Sequence, residues 1–224
     1  MKLRFAREGW PFVLGSVGLF TLLGAGALAV GAVSVAWACL LAGLLMTLGM
    51  LFFFRDPERA ILAGPHEVLS GADGVVRSVE QVEETGYLGV PAVRISVFLS
   101  VFDVHVNRMP IAGRVESVAY APGKHLFAYL DDASEYNEHS SVLVAGERIR
   151  CLVRQIVGPV ARRVVCRKKP GDQLAAGERF GIMKFGSRLD VYLPAAEVTV
   201  LVKKGDRVVA GQTVIATLKV ERIT

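Results

Sequence analysis

From Pro11 to Phe54 the chain carries no Asp, Glu, Lys, Arg or His; beyond Arg55 charged residues return and recur throughout. A helix that crosses a bilayer needs about 20 apolar residues. The uncharged run therefore predicts two helices, near 11–31 and 34–54, with Gly31 and Ser34 close to the turn between them. Gly24, Ala27 and Gly31 fall on one helical face, where small side chains let two helices approach. Lys2, Arg4 and Arg7 precede the run, and Arg55 and Arg59 follow it. Positive charge at both ends places both on the cytoplasmic side and predicts a hairpin, with Trp10 and Phe52, Phe53 and Phe54 at headgroup level. A cleaved signal peptide has a shorter apolar core; a hairpin that enters one leaflet without crossing is the open alternative.

The pattern then changes period. Val75–Val79 and Val93–Leu99 are rich in β-branched residues and read as strands. Gly71, Gly74, Gly86, Gly89 and Pro91 punctuate them. Gly113–Tyr120 alternates and ends at Pro122-Gly123. Residues 126–132 read as a short helical turn. Val142–Val144 and Ile149–Val157 form a hairpin around Ala145-Gly146-Glu147. No long amphipathic helix interrupts this series, so the second part is predicted to be all-β with short connections. The division is a membrane anchor over 1–60 and a β-rich second domain over 61–224.

A repeat refines the fold. Lys169-Pro-Gly-Asp172-Gln-Leu-Ala-Ala-Gly177 resembles Lys203-Lys-Gly-Asp206-Arg-Val-Val-Ala-Gly211. Each copy is a Gly-Asp turn, a short, mostly apolar run, and a second glycine. This resembles the half-repeat of biotinyl and lipoyl domains, and the expected fold is a mainly β barrel-sandwich of that kind behind an N-terminal transmembrane hairpin.

Composition narrows the partners. The chain is 52% hydrophobic and carries a net charge of +5. A basic chain seeks anionic partners; beside an apolar hairpin that means an anionic membrane rather than nucleic acid. The three cysteines, Cys39, Cys151 and Cys166, include no C-x-x-C pair, so neither zinc nor a disulfide framework is expected. Arg162-Arg163 and Arg167-Lys168-Lys169 form a basic run that reads as a solvated edge or a membrane contact.

Three stretches carry candidate chemistry: Ser70–Val76 with Asp73, Phe98–Pro110 with His105, and Gly181–Pro194 with Gly186-Ser187. Taken singly, an Asp-Gly turn, a core histidine and a Gly-Ser turn are commonplace. In this order, together with Phe53–Arg59, Ala72-Asp-Gly74, Asn137-Glu138 and Phe185-Gly-Ser187, the chain resembles the short form of the phosphatidylserine decarboxylase family across nearly the whole β-rich part.

The resemblance implies pyruvoyl-dependent decarboxylation of phosphatidylserine to phosphatidylethanolamine. The pyruvoyl group derives from Ser187 by self-cleavage at Gly186–Ser187, giving fragments 1–186 and 187–224 that stay together as a heterodimer. Ser187 attacks the Gly186 carbonyl; glycine suits that position because no Cβ obstructs the attack and a strained backbone is tolerated. By position Asp73 orients His105, and His105 acts as base. Larger bacterial members carry a second histidine where this chain has Arg108. Asn137 and His139 are implied substrate contacts, although His139 stands where the family has arginine. His66 and His125 have only structural readings. The substrate is a phospholipid, the location the inner membrane with the catalytic domain on the cytoplasmic side, and an exposed sheet edge leaves a higher oligomer open. No metal site is implied. The competing readings are a biotinyl carrier loaded on Lys184, after Ile182-Met183, and a lipid-binding scaffold that stays uncut.

Overall fold

The computed structural model describes residues 3–128, 133–159, 164–184 and 186–219. The chain divides into two compact units after Glu58.

In the first unit, strand β1 (Leu3–Phe5) precedes helices α1 (Trp10–Ala29) and α2 (Val33–Phe53), and β2 (Arg55–Pro57) returns to pair antiparallel with β1. Both helices are long and apolar enough to cross a membrane. Leu14, Leu22, Trp37 and Leu45 on their surfaces are exposed. Gly24 and Ala27 are buried at the helix contact, whereas Gly31 lies in the turn, so it does not extend the small-residue face. Gly43 contributes instead: a Cβ there would stand 2.5 Å from Phe20 Cβ. Ser16 and Thr47 hydroxyls meet across the pair at 2.9 Å. Phe54 is fully buried, stacked on Phe12 and edge-on to Phe5, so it packs within the unit.

The second unit is mainly β. Its strands are β3 (Glu67–Leu69), β4 (Gly74–Glu84), β5 (Val90–Leu99), β6 (Val106–Arg108), β7 (Gly113–Ala121), β8 (His139–Ala145), β9 (Arg150–Ile156), β10 (Val165–Cys166), β11 (Gln173–Leu174), β12 (Arg179–Ile182), β13 (Ser187–Pro194), β14 (Val198–Val200), β15 (Arg207–Val208) and β16 (Val214–Leu218). A one-turn helix, α3 (Ala133–Tyr136), precedes β8. It lies just beyond the predicted turn at 126–132, of which 129–132 fall outside the described residues.

Among the described residues a curled eight-stranded sheet runs β11-β7-β8-β9-β13-β5-β4-β15, and two three-stranded sheets, β10-β12-β6 and β14-β16-β3, accompany it. The repeat forms the two edges of the large sheet. β11 pairs with β7 and β15 with β4. In each copy the aspartate accepts the backbone N–H three residues earlier, Lys169 to Asp172 and Lys203 to Asp206. In each the turn glycine then bonds a neighbouring strand, Gly171 to Val115 and Gly205 to Val76. Equal local sequence has produced equal local structure at opposite edges.

The core fills one face of the curled sheet. It gathers Val76, Ile95, Val97, Val142, Val153, Leu189 and Val191 with Phe180 and Met183 of the β12 region and Ile215 of β16. Alternation along β13 sends Leu189, Val191 and Leu193 into this core. Arg188, Asp190 and Tyr192 take the other face, and they are buried as well.

Candidate active site

Ser187 opens β13, an inner strand hydrogen-bonded to β5 on one side and β9 on the other. Its side chain is fully buried, and its hydroxyl donates to the Lys184 carbonyl at 3.3 Å. Gly186 sits immediately before it at φ +70°, a left-handed conformation that favours glycine. A Cβ on Gly186 would meet nothing within 4 Å. The backbone conformation therefore favours glycine here, and groups beyond its chain neighbours leave space around it. Phe185 lies outside the described residues.

His105 is fully buried just before β6, and its carbonyl accepts the N–H of Met183 on the segment that leads to Ser187. The ring Nδ1 lies 2.9 Å from the Asp103 carbonyl. A carbonyl only accepts, so Nδ1 carries the proton and the neutral ring presents Nε2 as its basic nitrogen. Asp103 is fixed in turn: its carboxylate accepts the Ser100 N–H (2.9 Å), the Ser100 hydroxyl (2.6 Å) and Arg207 (2.8 Å). The Asp103-x-His105 spacing was visible in the quoted stretch, but the carbonyl that does the orienting has no sequence signature.

Asp73 is engaged by other partners in the uncut chain. Its carboxylate accepts both Arg59 terminal nitrogens, at 2.6 and 2.7 Å, and the Ala210 N–H at 2.8 Å. A part-buried carboxylate is best satisfied by a bidentate guanidinium, and Arg59 supplies one. The Arg59 side chain is largely covered and is an internal ion-pair partner. Arg108, in the place of the second histidine, is buried and donates to the Gly177 carbonyl at 3.0 Å, binding the β6 strand to the first repeat.

Asn137 is almost fully buried and its amide is committed to the backbone. It donates to the carbonyls of Leu126 and Val157, both at 2.8 Å, and accepts the Leu126 N–H at 3.0 Å. In the uncut chain both amide hydrogens are thus used within the protein, and Asn137 holds two chain segments together. Glu138 bonds His125 at 3.0 Å, and His66 bonds Arg148. Lys168 pairs with Glu178 at 2.6 Å, which removes one cation from the basic run; Arg162 and Arg163 lie outside the described residues. Lys184 occupies the loop ahead of Ser187.

His139 begins β8 in the same cross-strand row as Ile156 and Arg188. Its Nδ1 donates to the Asn137 carbonyl at 2.8 Å. Burial, assisted by nearby Arg154, holds its pKa below the ordinary 6.5, against the opposing pull of that hydrogen bond and Asp190. The unfolded chain therefore takes up this proton at higher pH than the folded chain. The stability linked to neutral His139 is present above about pH 6.5 and is lost as pH falls below it. His139→Asn is expected to flatten the loss of stability between about pH 7 and pH 5, read from urea midpoints. An unchanged slope would remove His139 from the acid response.

Sequence reasoning missed the layer behind the serine. Arg188 Nε donates to Asp190 Oδ1 at 2.7 Å and Nη2 to Oδ2 at 3.1 Å, with both side chains essentially inaccessible. Ser134 of α3 closes the group: its hydroxyl donates to Asp190 at 2.6 Å and accepts from Arg188. Arg154 continues the network to Ser141 and Tyr192. Arg and Asp two apart on a strand share a face, which hinted at a pair; that the face is covered was not legible.

Fold and site together define a mainly β protein in which a buried serine opens an inner strand directly behind a left-handed glycine, preceded by two bilayer-length helices. The family model for phosphatidylserine decarboxylase matches residues 47–216. The phosphatidylserine decarboxylase proenzyme of Symbiobacterium thermophilum is 50% identical over 216 residues, covering 95% of this chain and 95% of its own length. Those of Carboxydothermus hydrogenoformans and Paramagnetospirillum magneticum are each 47% identical, over 210 and 220 residues, covering 93% and 95% of this chain and 98% and 86% of their own lengths. The chain belongs to the phosphatidylserine decarboxylase family and is an enzyme.

Proposed function

We propose that the protein decarboxylates phosphatidylserine to phosphatidylethanolamine after cutting its own chain between Gly186 and Ser187. The observation that carries this reading is the pairing of family membership with the position of Ser187, a buried hydroxyl directly behind a glycine held at φ +70°.

Self-cleavage proceeds through the chain's own atoms. Ser187 Oγ attacks the Gly186 carbonyl carbon while His105 Nε2 takes the hydroxyl proton. The peptide C–N bond breaks and its nitrogen is protonated, leaving an ester between Gly186 and the Ser187 side chain. Removal of the Ser187 α-proton expels the Gly186 carboxylate. The resulting dehydroalanine takes up water and releases ammonia, which leaves a ketone on residue 187. The uncut chain is compatible with that group: residue 187 sits in a closed, strand-anchored position that shields it from water. The pyruvoyl ketone supplies an electron sink for the charge left when carbon dioxide departs. The Nδ1–H bond from His105 to the Asp103 carbonyl supports a role for Nε2 as the proton acceptor. Asp73, which the resemblance groups with these residues, serves in the uncut chain to join Arg59 to the second copy of the repeat.

The rest of the reading follows from this. The apolar helices form a membrane hairpin at the inner membrane, with the catalytic domain, from about residue 61, on the cytoplasmic side. The repeats form a biotinyl- or lipoyl-like barrel-sandwich, supported by their matched turns at opposite sheet edges. Fragments 1–186 and 187–224 stay joined because β13 keeps both neighbours after the cut.

Intact-mass spectrometry of protein purified from membranes tests the proposal. Two chains split at 186/187 are expected, the smaller without a free amine and reactive toward hydroxylamine. A small chain with a free N-terminal serine would refute the pyruvoyl assignment, and a single full-length chain that nonetheless turns over phosphatidylserine would refute the cleavage.

A further inference from the structure

Two glycines meet at the bond proposed to break, and they do different things. Gly186 provides the left-handed bend. Gly158, just past the end of β9, provides space. It is buried, and a Cβ built on it would stand 2.1 Å from the Gly186 carbonyl oxygen, 3.3 Å from the Gly186 carbonyl carbon and 3.6 Å from Ala128 Cβ. Ordinary contacts between a Cβ and a heavy atom do not fall below 3.0 Å. A side chain at 158 therefore forces Gly158 and the carbonyl that Ser187 is to attack apart.

The segment bearing Gly158 is itself held. Asn137 donates to the carbonyl of Val157, the residue before Gly158, and to the carbonyl of Leu126, and it accepts the Leu126 N–H. The Val157 N–H donates to the Glu138 carbonyl at 3.1 Å. One buried amide thus ties the segment 157–158, which abuts the Gly186 carbonyl, to the segment that begins at Leu126 and brings Ala128 near Gly158.

We propose that Gly158 and Asn137 are positioning residues for self-cleavage: the bare Cα of Gly158 seats the Gly186 carbonyl in the line of attack of Ser187, and the Asn137 amide holds that seat in place. The inference rests on the self-cleavage reading and adds the residues that set its geometry. The seat acts on the carbonyl of residue 186, which belongs to the reacting bond only before the cut. Its loss slows maturation and leaves turnover by each matured centre unchanged, a division that a general structural role would not produce.

The test uses the full chain made in a cell-free system with phospholipid vesicles, with cleavage followed on gels. In Gly158→Ala, displacement of the carbonyl by about 1 Å is expected to slow cleavage by on the order of 100-fold. The melting temperature should stay near that of Ser187→Ala, which is also uncut. Decarboxylation per matured centre, counted with phenylhydrazine, should stay within about twofold of the unaltered chain, because 10-fold in rate corresponds to a barrier change of about 1.4 kcal/mol and no such change is expected after the cut. Asn137→Ala removes only the tie and is expected to slow cleavage by on the order of 10-fold with the same turnover per centre; it serves if Gly158→Ala does not fold. Cleavage at the unaltered rate in the folded variants, or an equal loss in turnover per centre, overturns the proposal. If the unaltered chain itself never cuts, the self-cleavage reading fails and takes this one with it; if the unaltered chain cuts and the variants cut equally well, only the seat is wrong.

Discussion

Ser187→Ala is expected to give one uncut chain that is folded, inserted and wholly inactive. The substitution removes the nucleophile and the carbon that would become the ketone. Its structural cost is small. The Ser187 hydroxyl makes one long bond, 3.3 Å to Lys184, and a typical bond contributes about 1 kcal/mol. Alanine keeps Cβ on a strand held from both sides. A gel showing one full-length band, with a melting temperature close to that of an uncut chain slowed by other means, checks the expectation. Cleavage at 186/187 in this variant would end the assignment of Ser187. His105→Ala separates the base from the nucleophile. Loss of a positioned base typically costs 10²- to 10⁴-fold, so cleavage should persist but slow by about that range. An unaltered rate would show that another group takes the proton.

Asp190→Ala is expected to be the most destabilising single change near the site. It removes the carboxylate that pairs with two nitrogens of the buried Arg188 guanidinium, and breaking a buried pair in this way costs about 3–5 kcal/mol. Ser134 loses its acceptor as well. For a domain of this size that corresponds to a fall in melting temperature of roughly 10 °C. Replacing both charges with apolar residues of similar volume is often neutral, so Arg188→Met with Asp190→Val should regain most of the loss. If the double variant is as unstable as Asp190→Ala, the loss comes from packing and not from the broken pair. The consequence for function is local: Arg188 is bonded through its backbone to Ser187, so a loosened Arg188 loosens the reacting residue.

The site residues were legible to different depths. Ser187, Gly186 and His105 stood out because they lie in quotable stretches whose order matched a family. Asp73 stood out equally, yet its partner is Arg59, fourteen residues earlier in the chain and assigned by charge pattern to the membrane surface. Charge counting sees a cation next to an apolar run; it does not see a carboxylate brought to the same place by the fold. Asn137 shows the same limit in reverse. A polar residue near a site reads as a ligand contact, but three backbone bonds consume its amide.

The amino-acid sequence alone determined the elements: two bilayer-length apolar helices, a run of short strands, and a pair of Gly-Asp turns. These follow from local periodicity and turn chemistry, which act over a few residues. Tertiary structure alone decided which polar groups meet. It buried Arg188 and Asp190 on the face that alternation would give to solvent, because α3 supplies Ser134 to that face. It gave His105 its tautomer through the Asp103 carbonyl, and it set Gly158 against the carbonyl of Gly186. Each of these depends on the distance between groups remote in sequence or on a backbone atom common to every residue, and neither leaves a trace in the order of side chains.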